Sequence, residues 1–183
     1  MTSVLAHAVI WIPVAAITAV LMDFWAAFLH HRVWHAWLWS VHSSHHTPRP
    51  EGERLEQNDA LSFLHAPPAI ALIFYGCRAA PSVLREAAFG FGIGMTLFGI
   101  GYVLVHDGLV HGRLPMSSLL RLRYFRAVVR AHHVHHTGTA GGAPYGFFFG
   151  RFELTRSRLT RSPRRSVPSR DSSGQPRRAP DHA

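Results

Sequence analysis

Val4–His46 reads VLAHAVIWIPVAAITAVLMDFWAAFLHHRVWHAWLWSVHSSHH. An apolar stretch, Val4–Leu29, runs directly into His30, His35, His42, His45 and His46. Roughly 20 helical residues cross the hydrocarbon of a bilayer, and Val4–Met22 carries no Asp, Glu, Lys or Arg. The design returns downstream. Ala87–Val105 (AAFGFGIGMTLFGIGYVLV) is also uncharged and leads to His106, His111, His132, His135 and His136. Ten of the 15 histidines therefore form two copies of HxxxxH followed by HxxHH.

A third apolar segment, Leu61–Gly76, is shorter and holds Pro67-Pro68. It is read as a span, or as a re-entrant segment turning at the proline pair. Either form returns the chain, so both histidine copies face one side of the membrane. That side carries Arg32, Arg49, Arg54, Arg113, Arg121, Arg123, Arg126 and Arg130; the other has Arg78 and Arg85. The positive-inside rule puts the histidines in the cytoplasm. The N-terminal run lacks a basic leader and is too long for a signal peptide's apolar core, so it is read as a retained helix.

The expected fold is an all-α integral membrane protein with three to four transmembrane or re-entrant helices and a cytoplasmic-face, histidine-rich helical cap. The expected placement is multi-pass in a membrane. Residues 1–150 form the membrane domain. Residues 151–183, with nine arginines and three acids, contribute +6 of the formal +9 charge and are read as a disordered Arg/Ser/Pro-rich tail. Its expected contact is anionic lipid rather than nucleic acid. Leu119–Arg130 is read as an interfacial helix with an Arg123/Arg126/Arg130 stripe opposite Leu122, Phe125 and Val129. The stripe suits lipid headgroups or an acidic redox partner. Cys77 is alone, which excludes a disulfide framework and a thiolate cluster and leaves a buried structural thiol.

Imidazole is the commonest metal-binding side chain, and neutral nitrogen donors suit zinc, nickel or iron. Ten imidazoles exceed the four of one zinc site. Shared by two metals they give five each, with a sixth position open. Helical steps of three, four and seven residues let one helix aim His35, His42, His45 and His46 at one centre, and His132, His135 and His136 repeat this. The five-residue step from His30 to His35, or from His106 to His111, rotates about 140° on a regular helix. It demands a helix end or a bulge. His31 and His133 compete with His30 and His132, and the repeat favours the latter pair. His7 and His65, alone in apolar segments, are read as packed or hydrogen-bonded, and His182 as part of the tail. Glu56, Asn58, Asp59, Asp107 and the intramembrane Asp23 are candidates to orient imidazole N–H groups; for Glu51–Asp59 a hydrated acidic loop is an equal reading. Trp34, Trp37, Trp39 and Phe147–Phe149 either line a substrate route or, for most of them, form an interfacial belt.

In this order the motifs, with His106-Asp-Gly-Leu-Val-His111 the most specific, resemble the bacterial β-carotene hydroxylases of the membrane-bound fatty-acid hydroxylase superfamily. Leu38-Trp39, Ser44-His45-His46-Thr-Pro-Arg49 and Glu56-x-Asn58-Asp59 add to the resemblance, which covers roughly Met22 to Phe149. It implies a non-haem di-iron monooxygenase of the bacterial inner membrane with the ten motif histidines as ligands. It also implies carotenoid substrate from the bilayer, with O2 and electrons from a ferredoxin-type donor, converting β-carotene to zeaxanthin via β-cryptoxanthin. A fatty-acid or sterol hydroxylase, a carotenoid ketolase and a metal transporter are the alternatives. The departure is at the C-terminal end. The family has a Phe-Gly-Phe-Leu-like stretch where this chain has Tyr145-Gly-Phe-Phe-Phe149 and then the Arg-rich tail.

Overall fold

The computed structural model describes residues 2–47, 55–138 and 142–160. Arg49, Arg54, the first residues of the acidic loop, His182 and the tail beyond Thr160 lie outside them. All regular elements among the described residues are helical: α1 (Thr2–Leu29), α2 (Trp39–His46), α3 (Asp59–Ser62), α4 (Ala66–Arg78), α5 (Val83–Tyr102), α6 (Arg123–Thr137) and α7 (Gly150–Thr160). Three segments are long and apolar enough to cross a membrane: His7–Trp34, Asp59–Arg78 and Val83–Val110. Their apolar side chains point outward, with Val9, Ile12, Ile17, Phe24, Ile70, Phe74, Leu97 and Ile100 exposed. In water that pattern exposes a large apolar surface; in a bilayer it faces lipid tails.

The middle segment, Asp59–Arg78, is long and apolar enough to cross a membrane, with α3 and α4 joined through the turn Phe63–His65. Pro67 and Pro68 occupy the first turn of α4, where a missing N–H costs no helical hydrogen bond. Four residues later the chain turns into α5, whose first turn is capped by Ser82 Oγ accepting from Arg85 N–H at 3.1 Å.

Lipid tails give no hydrophobic drive between helices, so close backbone approach must supply the packing. Gly90 and Gly94 of α5 meet α1: a Cβ on either would sit 2.5 Å from the carbonyl oxygen of Trp11 or Ala15. Gly92 lies as close to α4, where a Cβ would approach Ala69 O at 2.8 Å. Both neighbours of α5 are thereby locked side by side, and the C-terminal ends of α1 and α5 emerge together. At the opposite end, buried Glu86 pairs with His7 Nδ1 at 2.9 Å. His65 accepts a hydrogen bond from Trp25 Nε1 at 3.0 Å. His65 thus has a hydrogen-bonded role, and His7 sits against a buried carboxylate.

Three expectations are corrected. The helix expected over Leu119–Arg130 is two pieces, a 3-10 turn (Ser117–Arg121) and α6, broken at Leu122, whose ψ of 130° is extended. Arg126 leaves the expected stripe to close this break, donating to Leu120 O and Arg121 O at 2.7 and 2.8 Å. Cys77 is exposed, because α4 turns Ala69 and Gly76 inward and Cys77 to the lipid side. The arginine-rich end starts as a helix, α7, with Leu154 buried.

Candidate metal centre

Directly after α1 and α5 the helices widen. His30–Trp34 and Val103–Val110 are π-helical, and the N–H groups of His35 and His111 donate five residues back, to His30 O and His106 O, each at 3.0 Å. π-Turns are rare and tend to mark functional sites. Here they are the bulge that the HxxxxH spacing demanded: the wider turn brings residues i and i+5 onto one face.

The ten motif histidines converge in two adjoining groups. His30, His35, His42, His46 and His135 form one, with ligand atoms within 4.8 Å of one another. His45, His106, His111 and His132 form the other to the same limit. His136 joins the second through Nε2 contacts of 2.8 Å to His132 and 3.2 Å to His45. His31 and His133 belong to neither group and are exposed.

The groups do not follow the sequence copies. The expectation that His35, His42, His45 and His46 share a centre is corrected, as is its repeat at α6. His42 and His46, four residues apart, share a face of α2, while His45 lies about 100° round from His46 and reaches the second group. On α6, His132 and His136 share a face and His135 crosses to the first group. Each HxxHH thus sends its middle histidine to the other copy's centre, stitching the halves together.

Ring orientation shows what these atoms are prepared for. His30 Nδ1–H donates to Tyr145 O at 3.0 Å, His42 Nδ1–H to Asn58 Oδ1 at 2.6 Å, and His135 Nδ1–H to Gly142 O. In the second group His45 Nδ1–H donates to Glu56 Oε1 at 2.8 Å and His106 Nδ1–H to Asp107 Oδ1 at 2.6 Å. These acceptors place the proton on Nδ1 and leave Nε2 bare. Yet His30 Nε2 lies 3.0 Å from His42 Nε2, and His45 Nε2 3.1 Å from His106 Nε2. Two lone pairs facing each other with no proton between them repel unless a cation lies within reach of both. The donor set therefore fits a metal.

The rings are also kept uncharged. Burial, then the neighbouring histidines, lowers His35 to about 4. Burial, against the Asn58 hydrogen bond, lowers His42 to about 4, and burial against the Gly142 contact does the same for His135. Burial and its histidine neighbours hold His45, His132 and His136 below the ordinary imidazole range. Neutral imidazole is the ligating form.

The acids expected near the rings do not all act alike. Glu56 and Asp107 each hold a ring. Asp59, buried, instead accepts from Glu56 N–H at 3.0 Å and from Arg113 Nη1 at 2.9 Å. Glu56–Asp59 is thus built into the site and is not a hydrated loop. Arg113, counted in the sequence only as a charge, also meets Glu56 at 3.0 Å and Asp107 at 3.6 Å. Burial acts to lower its pKa, but the three carboxylates outweigh this and raise it.

Asp23 touches no motif histidine. Its carboxylate accepts the N–H groups of Phe147, Phe148 and Phe149 at 3.1, 2.9 and 3.0 Å. Glu153 of α7 takes those of Tyr145 and Gly146, both at 2.9 Å. Two carboxylates thus hold five consecutive donors and clasp this segment over the first group. Glu153 was hidden in the supposed tail, and Tyr145 and Gly142 act through backbone carbonyls that no side chain advertises.

The clasped segment and the spans enclose a narrow crevice lined by Ala26, His30, Trp34, Tyr102, His132 and Phe147. It touches one histidine of each group. Trp34 and Phe147 are buried there, and Tyr102 stacks on His106 with ring centres 4.4 Å apart. Trp37 and Trp39 are exposed, as an interfacial belt requires. Phe149 stacks on Phe24 of α1, and Phe148 packs on Phe98.

Helical spans that end in two imidazole clusters define a membrane-bound metal-site protein of the histidine-cluster type. Residues 15–154 match the fatty acid hydroxylase family, and the chain belongs to that family. It is 47% identical over 136 residues, 74% of its length, to β-carotene 3-hydroxylase 1, chloroplastic, of Arabidopsis thaliana. The same identity and coverage relate it to the β-carotene 3-hydroxylase of Gentiana lutea. The matches cover 43% and 42% of those proteins, so the chain spans less than half the length of these chloroplast relatives. The β-carotene hydroxylase of Pseudescherichia vulneris is 36% identical over 160 residues, 86% of this chain and 87% of that protein. No solved structure matches the chain.

Proposed function

We propose that this protein is a non-haem di-iron monooxygenase that hydroxylates the β-ionone rings of carotenoids, taking β-carotene to zeaxanthin through β-cryptoxanthin. The supporting observation is the paired group of bare Nε2 atoms at the ends of apolar spans, in a chain whose relatives are named β-carotene hydroxylases. His30, His35, His42, His46 and His135 would hold one iron, and His45, His106, His111, His132 and His136 the other. When bound, the iron pair supplies the O2 activation that an unreactive ring C–H requires. The reaction balances as R–H plus O2 plus two electrons and two protons giving R–OH plus water, with electrons from a ferredoxin-type donor.

The chain's own contribution is position and dryness. Glu56, Asp107, Asn58 and the Tyr145 and Gly142 carbonyls fix the tautomers of His45, His106, His42, His30 and His135 and aim their Nε2 atoms inward. Trp34, Tyr102 and Phe147 wall the crevice against water. The histidine groups lie at span ends, whereas transporter ions bind near the midplane. Arg32, Arg113, Arg121, Arg123, Arg126 and Arg130 share the histidine face, against Arg78 and Arg85 opposite, which supports a cytoplasmic-facing site. Residues 1–150 would carry the activity, α7 would brace it through Glu153, and the remaining tail would meet lipid.

Pigment analysis of a β-carotene-producing host tests the reading. Expression of the chain should yield β-cryptoxanthin and zeaxanthin. Unchanged β-carotene, with the protein in the membrane and a competent donor present, overturns it.

A further inference from the structure

The two histidine groups have the same ligand chemistry but different support. In the first, the Nδ1 acceptors seen for His30, His42 and His135 are all uncharged: Tyr145 O, Asn58 Oδ1 and Gly142 O. In the second, those of His45 and His106 are carboxylates, Glu56 and Asp107. These two acids and Asp59 converge on Arg113, which meets them at 3.0, 3.6 and 2.9 Å. Three carboxylates this close repel one another, and the guanidinium offsets that repulsion, so that Glu56 and Asp107 stay aimed at their rings. A carboxylate behind an imidazole draws on its N–H proton and makes the opposite nitrogen a stronger donor.

We propose that this asymmetry makes the two metal positions unequal, with the group of His45, His106, His111, His132 and His136 holding its ion more tightly than the group of His30, His35, His42, His46 and His135. The inference rests on the di-iron reading above and adds an order of affinity to it. Glu56 and Asp107 are positioning residues: they act on the ion through His45 and His106. Arg113 acts one step further out, through the acids. The loosely held position also takes two of its ring acceptors, Tyr145 O and Gly142 O, from a loop and not from a side chain on a helix.

The test uses the full chain in detergent, loaded with ferrous iron without oxygen and challenged with a ferrous chelator, with release followed by absorbance. Two ions should leave in two phases whose rates differ by about tenfold or more, the usual size of an effect transmitted through an orienting partner. Glu56→Gln and Asp107→Asn should speed the slow phase and leave the fast one alone. Asn58→Asp places a carboxylate of nearly the same shape behind His42 and should slow the fast phase; this gain does not depend on a damaged site. Mössbauer spectra should show two ferrous environments, of which Asn58→Asp shifts only one. Release of both ions together from the unaltered chain overturns the inference alone, as does equal weakening of both phases by Glu56→Gln, or no response to Asn58→Asp. Binding of fewer than two ions overturns the di-iron reading and this inference with it.

Discussion

The two histidine groups begin alike and are finished differently. Each starts on a π-turn at the end of a membrane span and takes a pair of histidines from one HxxHH helix plus a single histidine from the other. The first group is then hydrogen-bonded by a late segment, Gly142–Phe149, which Asp23 and Glu153 pin and whose Phe147 also packs on the second group. The second is closed by a cluster of side chains around Arg113. The repeated motif supplies ligands of the right kind in the right number. What differs is the surroundings that hold each ring still, and those come from parts of the chain the repeat does not include.

The exchange of middle histidines makes the sharpest way to break this comparison. His45→Ala and His135→Ala should each abolish product, a fall of more than about 100-fold, since even an orienting partner is commonly worth 10 to 100-fold. Their iron spectra should sort by group and not by sequence copy. His45→Ala should resemble His132→Ala, and His135→Ala should resemble His42→Ala. Pairing by copy instead would show that the halves bind their metals separately. Retained full turnover in His45→Ala would remove that residue from the ligand set.

A smaller effect separates the two closures. Asp23→Ala leaves the N–H groups of Phe147, Phe148 and Phe149 without their acceptor in a buried place, at roughly 1–3 kcal/mol for each group left unpaired. The apparent melting temperature in detergent should fall, and iron should be lost from the first group before the second. Equal loss from both would mean that the clasp supports the whole fold and not one group. At the bottom of the scale, His31→Ala and His133→Ala should leave product yield within about twofold, because surface changes away from a site are usually small. A large loss in either would overturn the division between buried and exposed histidines.

Much of this was legible in the chain. Uncharged runs of about 20 residues announce spans because the bilayer core is about 30 Å thick. The HxxxxH spacing announces a bulge, because five residues do not return to one face of a regular helix. The acids near the histidines were readable as partners for ring N–H groups. Other features were not legible, each for a definite reason. Asp23 is an acid in an apolar run, and nothing local says that its partners are backbone N–H groups more than 120 residues away. Leu122 breaks the expected interfacial helix because Arg126 can satisfy the carbonyls the break leaves open. Glu153 sits in a segment whose composition reads as a tail, yet two N–H groups and the burial of Leu154 order its first helix.

The sequence alone determined that helices would cross a membrane, that ten imidazoles would stand at their ends and that a regular α-helix could not aim them all. Hydropathy and helical period are local properties, so they can be read from neighbours in the chain. Only the tertiary structure decided which five histidines meet, which ring is backed by a carboxylate and which by a carbonyl, and what closes the crevice. Those outcomes depend on the rotation of α2 and α6 about their own axes and on the docking of Gly142–Phe149. Packing between distant segments sets both.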